Sequence, residues 1–191
     1  MSNLLFFREF TRNPKRIGSV MPSGNQLARR MVSAAAIRPE HAVVELGAGT
    51  GPVTRVLRTE HPDNDLLLIE PSSELAALLR EHFPAVPVDE RYAQDLPAIC
   101  ADWGHAKVDR IVSGLPWTMW SEHVIAAGLD AVIEVLAPGG RMVTFSYVHS
   151  QLLMPGARRF RRLLGDRFAT VTRTEVQWLN VPPALVFVCD V

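Results

Sequence analysis

Cysteine, long uncharged apolar runs and net charge are all scarce in this 191-residue chain. The only two cysteines, Cys100 and Cys189, are far apart in sequence. That excludes a disulfide framework and a zinc site built on cysteine, and leaves two packed thiols. The longest charge-free stretches, 142–157 and 176–189, are shorter than the ~20 apolar residues of a spanning helix and contain proline or several polar residues. The apolar patch at 4–7 is broken by Arg8 and Glu9, so no secretory signal is read there. These absences predict a soluble, intracellular, reduced protein. No metal site is expected.

The net charge is zero, from 20 Lys and Arg against 20 Asp and Glu, but the charges are not mixed. Residues 1–38 hold seven bases and one acid, net +6; residues 39–140 hold six bases and sixteen acids, net −10; residues 141–191 hold seven bases and three acids, net +4. Two basic ends flank an acidic middle. Such asymmetry fits an anionic partner, and it equally fits arginine on solvated helix faces.

The 48% apolar composition suits one globular domain, and there is no repeat or linker. Apolar runs predict strands at 42–46, 66–70, 86–91, 110–113, 141–147, 169–179 and 184–190. Helical patterns fill 53–61, 73–83, 122–136 and 151–164. Leu75, Leu78, Leu79 and Phe83 give the stripe of a core-facing helix. Ser72 and Ser121 are placed as N-caps, and Ser23 with Gln26 has capping-box spacing for a helix at 25–36. Alternating β and α with continuous apolar strands predicts a parallel sheet covered on both faces. The last two strands are joined only by Asn180-Val181-Pro182-Pro183, so they form an antiparallel hairpin at the sheet edge.

The first strand runs into Glu45-Leu46-Gly47-Ala48-Gly49-Thr50-Gly51, and a helix follows. Glycines there permit positive φ and let a ligand approach the backbone, while the helix N-terminus offers unpaired N–H groups. Glu70 stands 19 residues after Gly51, at the carboxyl end of the second strand, where a carboxylate can accept from both hydroxyls of a ribose. The dinucleotide spacing G-x-G-x-x-G is absent, because Pro52 occupies the third glycine position.

The pattern E-x-G-x-G-x-G resembles motif I of the class I S-adenosylmethionine-dependent methyltransferases, and the likeness covers about residues 25–191. The resemblance implies a Rossmann-like, doubly wound α/β sheet of seven strands, mostly parallel with a C-terminal antiparallel hairpin. It implies S-adenosyl-L-methionine as cofactor, with Glu45, Gly47, Ala48, Gly49 and Gly51 along its methionine half and Glu70, followed by Pro71, at the ribose. The family's third strand ends in an Asp-Ala pair that meets adenine. Here Tyr92 replaces that Asp, Ala93 keeps a backbone N–H, and Asp95 is the acid left for the adenine amine or, alternatively, for a helix start. In amino-methylating relatives the fourth strand ends in Asn-Pro-Pro-aromatic. Here Ser113 replaces Asn, which places it at both cofactor and catalytic centre and disfavours a nucleic-acid base as target, while Pro116-Trp117 keeps the turn and the aromatic.

Several further segments resemble the bacterial soluble-type phospholipid N-methyltransferases: Phe7-Arg8-Glu9-Phe10, Gly18-Ser19-Val20-Met21-Pro22-Ser23-Gly24, Ser113-Gly114-Leu115-Pro116, Phe145-Ser146-Tyr147 and Asn180-Val181-Pro182-Pro183-Ala184. The resemblance implies methylation of phosphatidylethanolamine towards phosphatidylcholine at the cytoplasmic face of the cell membrane. It places Ser19, Met21, Ser23, Leu115, Pro116 and Trp117 at the substrate. An ethanolamine ammonium must lose its proton first, and His149, with Tyr147 beside it, is the candidate base past strand five. Residues 1–24 form a basic amphipathic segment, read as a lid or a contact with an anionic membrane surface. Arg158, Arg159, Arg161 and Arg162 around Phe160 form a second such contact or a solvated helix. Trp117 and Trp120 also fit simple packing. The competing readings are an rRNA adenine-N6 dimethyltransferase, another small-molecule N-methyltransferase, and a cofactor-binding module without catalysis.

Overall fold

The computed structural model describes residues 22–148, 151, 155–177 and 182–191. In chain order the elements are α1 (Pro22–Ala35), β1 (Val43–Leu46), α2 (Pro52–Glu60), β2 (Leu66–Ile69), α3 (Ser73–His82), β3 (Val88–Asp89), α4 (Leu96–Trp103), β4 (Val108–Ser113), α5 (Glu122–Val135), β5 (Leu136–Tyr147), α6 (Pro155–Gly165), β6 (Thr170–Arg173) and β7 (Ala184–Asp190). The strands form one sheet in the order β3-β2-β1-β4-β5-β7-β6. The first five pair in parallel, and β7 runs antiparallel between β5 and β6. This is the predicted doubly wound sheet with its antiparallel end.

β1 and β2 are buried at all four positions, as strands covered on both faces must be. One face carries Val44, Leu46, Ile111 and Met142 against α4, α5 and α6. The other carries Val43, Leu68, Val112 and Val143 against α1, α2 and Leu79 of α3. The growth direction of the sheet reverses between β1 and β4, so a crevice opens beyond their carboxyl ends.

Several local limits change: β3 shrinks from 86–91 to Val88–Asp89, and β4 starts at Val108 rather than 110. Helix α1 starts at Pro22 rather than 25, because proline in a first turn lacks only an N–H the helix does not use. Ser23 is therefore helical and is not the residue preceding the helix. Helix α4 was not predicted, although Leu96, Ile99 and Cys100 give it a buried stripe and Gly104, at φ 91°, ends it. Strand β5 begins five residues early, and β6 stops at Arg173, with one isolated bridge, Gln177 to Ala184, beyond it. Both cysteines are buried free thiols whose burial pushes them up to about 11 (Cys100) and about 12 (Cys189), which fits packing and not reactivity.

Candidate active site

The loop after β1 turns on three glycines in the left-handed region, Gly47, Gly49 and Gly51, with φ of 73°, 60° and 81°. All three share that strained φ, and two of them also have no room for a side chain. A Cβ on Gly47 would lie 2.7 Å from Leu115 Cδ2, and one on Gly51 2.7 Å from Phe83 Cε2. A Cβ on Gly49 would enter open space, so that glycine leaves a cradle rather than permitting a close contact. Gly51 then caps α2, with Pro52 in its first turn.

Two buried carboxylates belong to this loop. Glu70, 3% exposed, accepts from the N–H of Gly49 at 2.9 Å through Oε2 and from that of Ser72 at 3.0 Å through Oε1. Burial pushes the Glu70 carboxyl above the usual carboxylate range, and these two N–H groups pull it part of the way back. Its two oxygens offer about four acceptor sites, so two remain for a pair of hydroxyls. Glu45, 2% exposed, accepts from Thr54 Oγ1 at 2.7 Å. Burial pushes it up to about 8, with the neighbouring Glu70 charge a lesser cause, so it is a neutral acid near pH 7.

Beside this group lies a cleft of about 330 Å³. Gly47, Ile69, Pro71, Ala93 and Leu115 form its sheet-edge wall; Trp120, just before α5, and His123, Val124, Ala127 and Gly128 of α5 form the facing wall. Tyr92 and Gln94 complete the rim. The cradle at Gly49, the spare acceptors of Glu70 and the size of this slot all suit an adenosine with a chain on its ribose.

The loop after β4 is built in the opposite way. Gly114 N–H donates to Leu46 O at 2.7 Å, holding the β4 loop against the β1 loop. Ser113 is fully buried, and its Oγ accepts from Trp117 Nε1 at 2.9 Å and from the N–H of Leu115 at 3.4 Å. Trp117, 1% exposed, lies 5.8 Å from Phe160 in a parallel stack and 5.4 Å from Trp120 edge to face. A Cβ on Gly128 would come 2.9 Å from Trp117 Cζ3. Trp117 is therefore core, and Trp120 is the aromatic on the cleft wall.

Of the expected site residues, Gly47, Pro71, Ala93 and Leu115 line the cleft, and Glu45, Ala48, Gly49, Gly51 and Glu70 make the loop and acid group next to it. Ser113 fixes its own loop, and Pro116 opens the short turn over Trp117–Met119. Asp95 turns back: its Oδ2 accepts from the N–H of Tyr92 at 3.1 Å and it precedes α4, the helix-start alternative. Tyr147 packs edge to face on Phe145, 5.3 Å away, with the α1 and α2 layer, so it and Ser113 serve opposite faces of the sheet. Burial pushes the Tyr147 phenol up, which keeps it protonated. Ser19, Met21 and His149, with most of the segment 1–24 and the side chain of Ser23, lie outside the described residues. Gln94, Trp120 and His123 were missed; the i, i+3, i+4 spacing of Val124, Ala127 and Gly128 was the available sign of an α5 wall. Phe160, read with the arginines as a surface contact, is 0% exposed and anchors α6 in the core; Arg158, Arg159, Arg161 and Arg162 are exposed, with Arg162 held by Glu122 at 2.6 Å.

A methyltransferase-domain family model matches residues 43–140. The chain is 34% identical over 190 residues to an ornithine lipid N-methyltransferase of Singulisphaera acidiphila, covering 97% of this chain and 94% of that protein. It is 35% identical over 94 residues to ribosomal RNA small subunit methyltransferase A of Thermotoga petrophila, covering 45% of this chain and 35% of that one. Among solved structures, the N-methyltransferase NodS of Bradyrhizobium japonicum superposes with a TM-score of 0.68 at 13% identity, over 90% of this chain and 97% of that one. Magnesium protoporphyrin IX methyltransferase of Synechocystis, with bound S-adenosylmethionine, gives 0.67 at 12% identity, over 95% and 83%. These structural likenesses concern the fold.

Proposed function

The chain is a class I S-adenosylmethionine-dependent methyltransferase, and on that premise we propose that it methylates the nitrogen of a membrane aminolipid. The observation that carries this is the 34% identity to an ornithine lipid N-methyltransferase along nearly the whole of both chains, where the ribosomal RNA enzymes match 44–72% of this chain and less than half of their own length. Phosphatidylethanolamine is the headgroup implied by the segments on either side of the glycine loop, and ornithine lipid is the one named for the relative. Both present an amine on a lipid.

Bound S-adenosylmethionine supplies a methyl group on a sulfonium that leaves as a neutral thioether. The residues here bind and aim. Glu70 takes the ribose hydroxyls with its remaining acceptor sites, and Gly49 leaves the room. Gly47, Ala48, Gly51 and Glu45 complete the methionine side; Pro71 and Ala93 flank the base. Ser113, through Trp117, holds Leu115 and Pro116 rigid at the transfer point. Alignment of this kind is worth roughly 7–11 kcal/mol where the geometry is near attack. The amine must arrive without its proton, and an apolar, water-poor site favours that neutral form. His149 is assigned as the base; Tyr147, on the opposite face of the sheet from Ser113, is given no part in the transfer.

Ser19, Met21 and Ser23 are assigned to the headgroup. The basic segment 1–24 and the exposed Arg158, Arg159 and Arg161 are assigned to an anionic membrane surface, peripheral to the inner face of the membrane. Among the described residues no helix is long and apolar enough to cross a membrane. Purified protein, labelled S-adenosylmethionine and anionic liposomes carrying phosphatidylethanolamine or ornithine lipid should yield methylated lipid by mass spectrometry. Label in RNA with none in either lipid would reverse the assignment.

A further inference from the structure

Methyl transfer to an amine uses the nitrogen lone pair, which forms the new N–C bond while the S–C electron pair returns to sulfur. A hydrogen bond to that lone pair would block the reaction. The amine can therefore be aimed only through its N–H bonds, and acceptors must hold them. Ser113, expected at the transfer point, is already spent. Its hydroxyl oxygen has two acceptor sites, and the N–H groups of Trp117 and Leu115 fill both, at 2.9 and 3.4 Å.

The neighbouring strand offers another acceptor. Thr144 of β5 pairs in register with Ser113 of β4, and Ser146 follows two residues nearer the carboxyl edge. Val143, Phe145 and Tyr147 pack with the α1 and α2 layer, so alternation puts Thr144 and Ser146 on the same face as Ser113. All three are buried. Just past the strand, Gln151 Nε2 donates to Ser146 Oγ at 2.8 Å, and Gln151 Oε1 is buried without a hydrogen-bond partner.

Among the described residues, four buried side-chain atoms lack a partner: the Nε atoms of Arg58 and Arg110, Thr144 Oγ1 and Gln151 Oε1. The two arginine nitrogens are donors. Thr144 sits within the strand and carries its own proton, whereas Gln151 stands past the strand end, on the edge of the sheet where the crevice opens. Burying its carbonyl oxygen without a donor is unfavourable, and a bound N–H would relieve that. Were the carboxamide turned over, its NH2 would be the unpartnered group, and an amine committing its lone pair to the methyl has no acceptor to give it.

We propose that Gln151 Oε1 positions the substrate nitrogen by accepting one of its N–H bonds, which makes the enzyme sensitive to how many methyls that nitrogen already carries. The proposal rests on the aminolipid reading above and adds the residue that holds the amine. A primary amine and a monomethylamine keep an N–H beside the free lone pair. A neutral dimethylamine has none. Gln151 thus assists the first and second transfers and not the third.

The test is initial rates on phosphatidylglycerol vesicles carrying ornithine lipid or phosphatidylethanolamine, or the mono- or dimethyl derivative of either. Gln151→Met, similar in length, should lower kcat/KM on the primary and monomethyl lipids ~10-fold or more, and on the dimethyl lipid less than about twofold. Its melting temperature and its affinity for S-adenosylhomocysteine should be those of wild type. Gln151→Glu keeps an oxygen acceptor, to which the Ser146 hydroxyl can turn its proton, and should restore most of the primary-amine rate. Equal losses on all three kinds of lipid, no loss on the primary amine, or no rescue by glutamate overturns the proposal. If the dimethyl lipid is inert even with wild type, the glutamate rescue decides alone. Wild-type protein that binds S-adenosylhomocysteine yet methylates none of these lipids overturns the aminolipid reading itself.

Discussion

The loops after β1 and β4 meet at one hydrogen bond, from Gly114 N–H to Leu46 O, yet they are made on opposite plans. The β1 loop is held from its edge: Glu70 accepts from the Gly49 N–H and is itself fixed by the Ser72 N–H, and at Gly49 nothing fills the space a side chain would take. The β4 loop is held from beneath by Trp117, which fills the space between Gly128 and Phe160 and ties Ser113. An open loop can lose its ligand while the protein stays folded. A packed loop cannot be altered without cost to the fold.

This contrast can be broken at either loop. Trp117→Ala should have the largest effect, lowering unfolding free energy by about 3–5 kcal/mol, the usual range for a buried aromatic, as read by chemical denaturation. A smaller loss with normal methyl transfer would mean that the β4 loop is not held by this side chain. Gly49→Arg should do the reverse. Its backbone strain costs only about 1–2 kcal/mol of stability, while the side chain enters the cradle and weakens S-adenosylmethionine binding ~100-fold, or about 2.7 kcal/mol. Unchanged affinity in calorimetry would remove the β1 loop from the cofactor site.

The third test is a pH slope at the end of β1. Glu45 is raised from 4.5 to about 8 in the folded chain, so between those values the native state keeps a proton that the unfolded state has released. The stability from this group is present below pH 4.5 and is lost as pH climbs to about 8. Glu45→Gln should flatten that decline in denaturation curves taken across the window. Parallel wild-type and variant curves would show that Glu45 ionises normally.

The strands and the glycine loop were legible because both are local: continuous apolar runs, turn glycines, and an acid in register. All seven strands were expected, and β7 keeps the limits read from the sequence, 184–190. What was not legible depends on how helices rotate against the sheet. Pro116-Trp117 looked like the aromatic of a substrate site, but the turn of Ser113 sends Trp117 under the loop, and Trp120, at the end of the turn over Trp117–Met119, lines the cleft instead. Gln94 was hidden in a three-residue turn with no periodicity to show its facing. Helix α4 was obscured because Asp95 and Pro97 look like a loop until Asp95 is seen closing the turn before it. The charge map was read correctly as a map, and Arg167 with Asp130, like Arg162 with Glu122, shows that part of the basic C-terminal region is spent on ion pairs with the acidic middle.

Trp117 and Gly128 occupy one shared volume, with 2.9 Å between the indole edge and the place a methyl would stand. Substitution at these two positions is therefore historically ordered. A lineage that enlarges residue 128 must first pass through a smaller residue at 117, and the opposite order leads through a clash. Homologues should keep the summed size of the pair even where neither residue is retained.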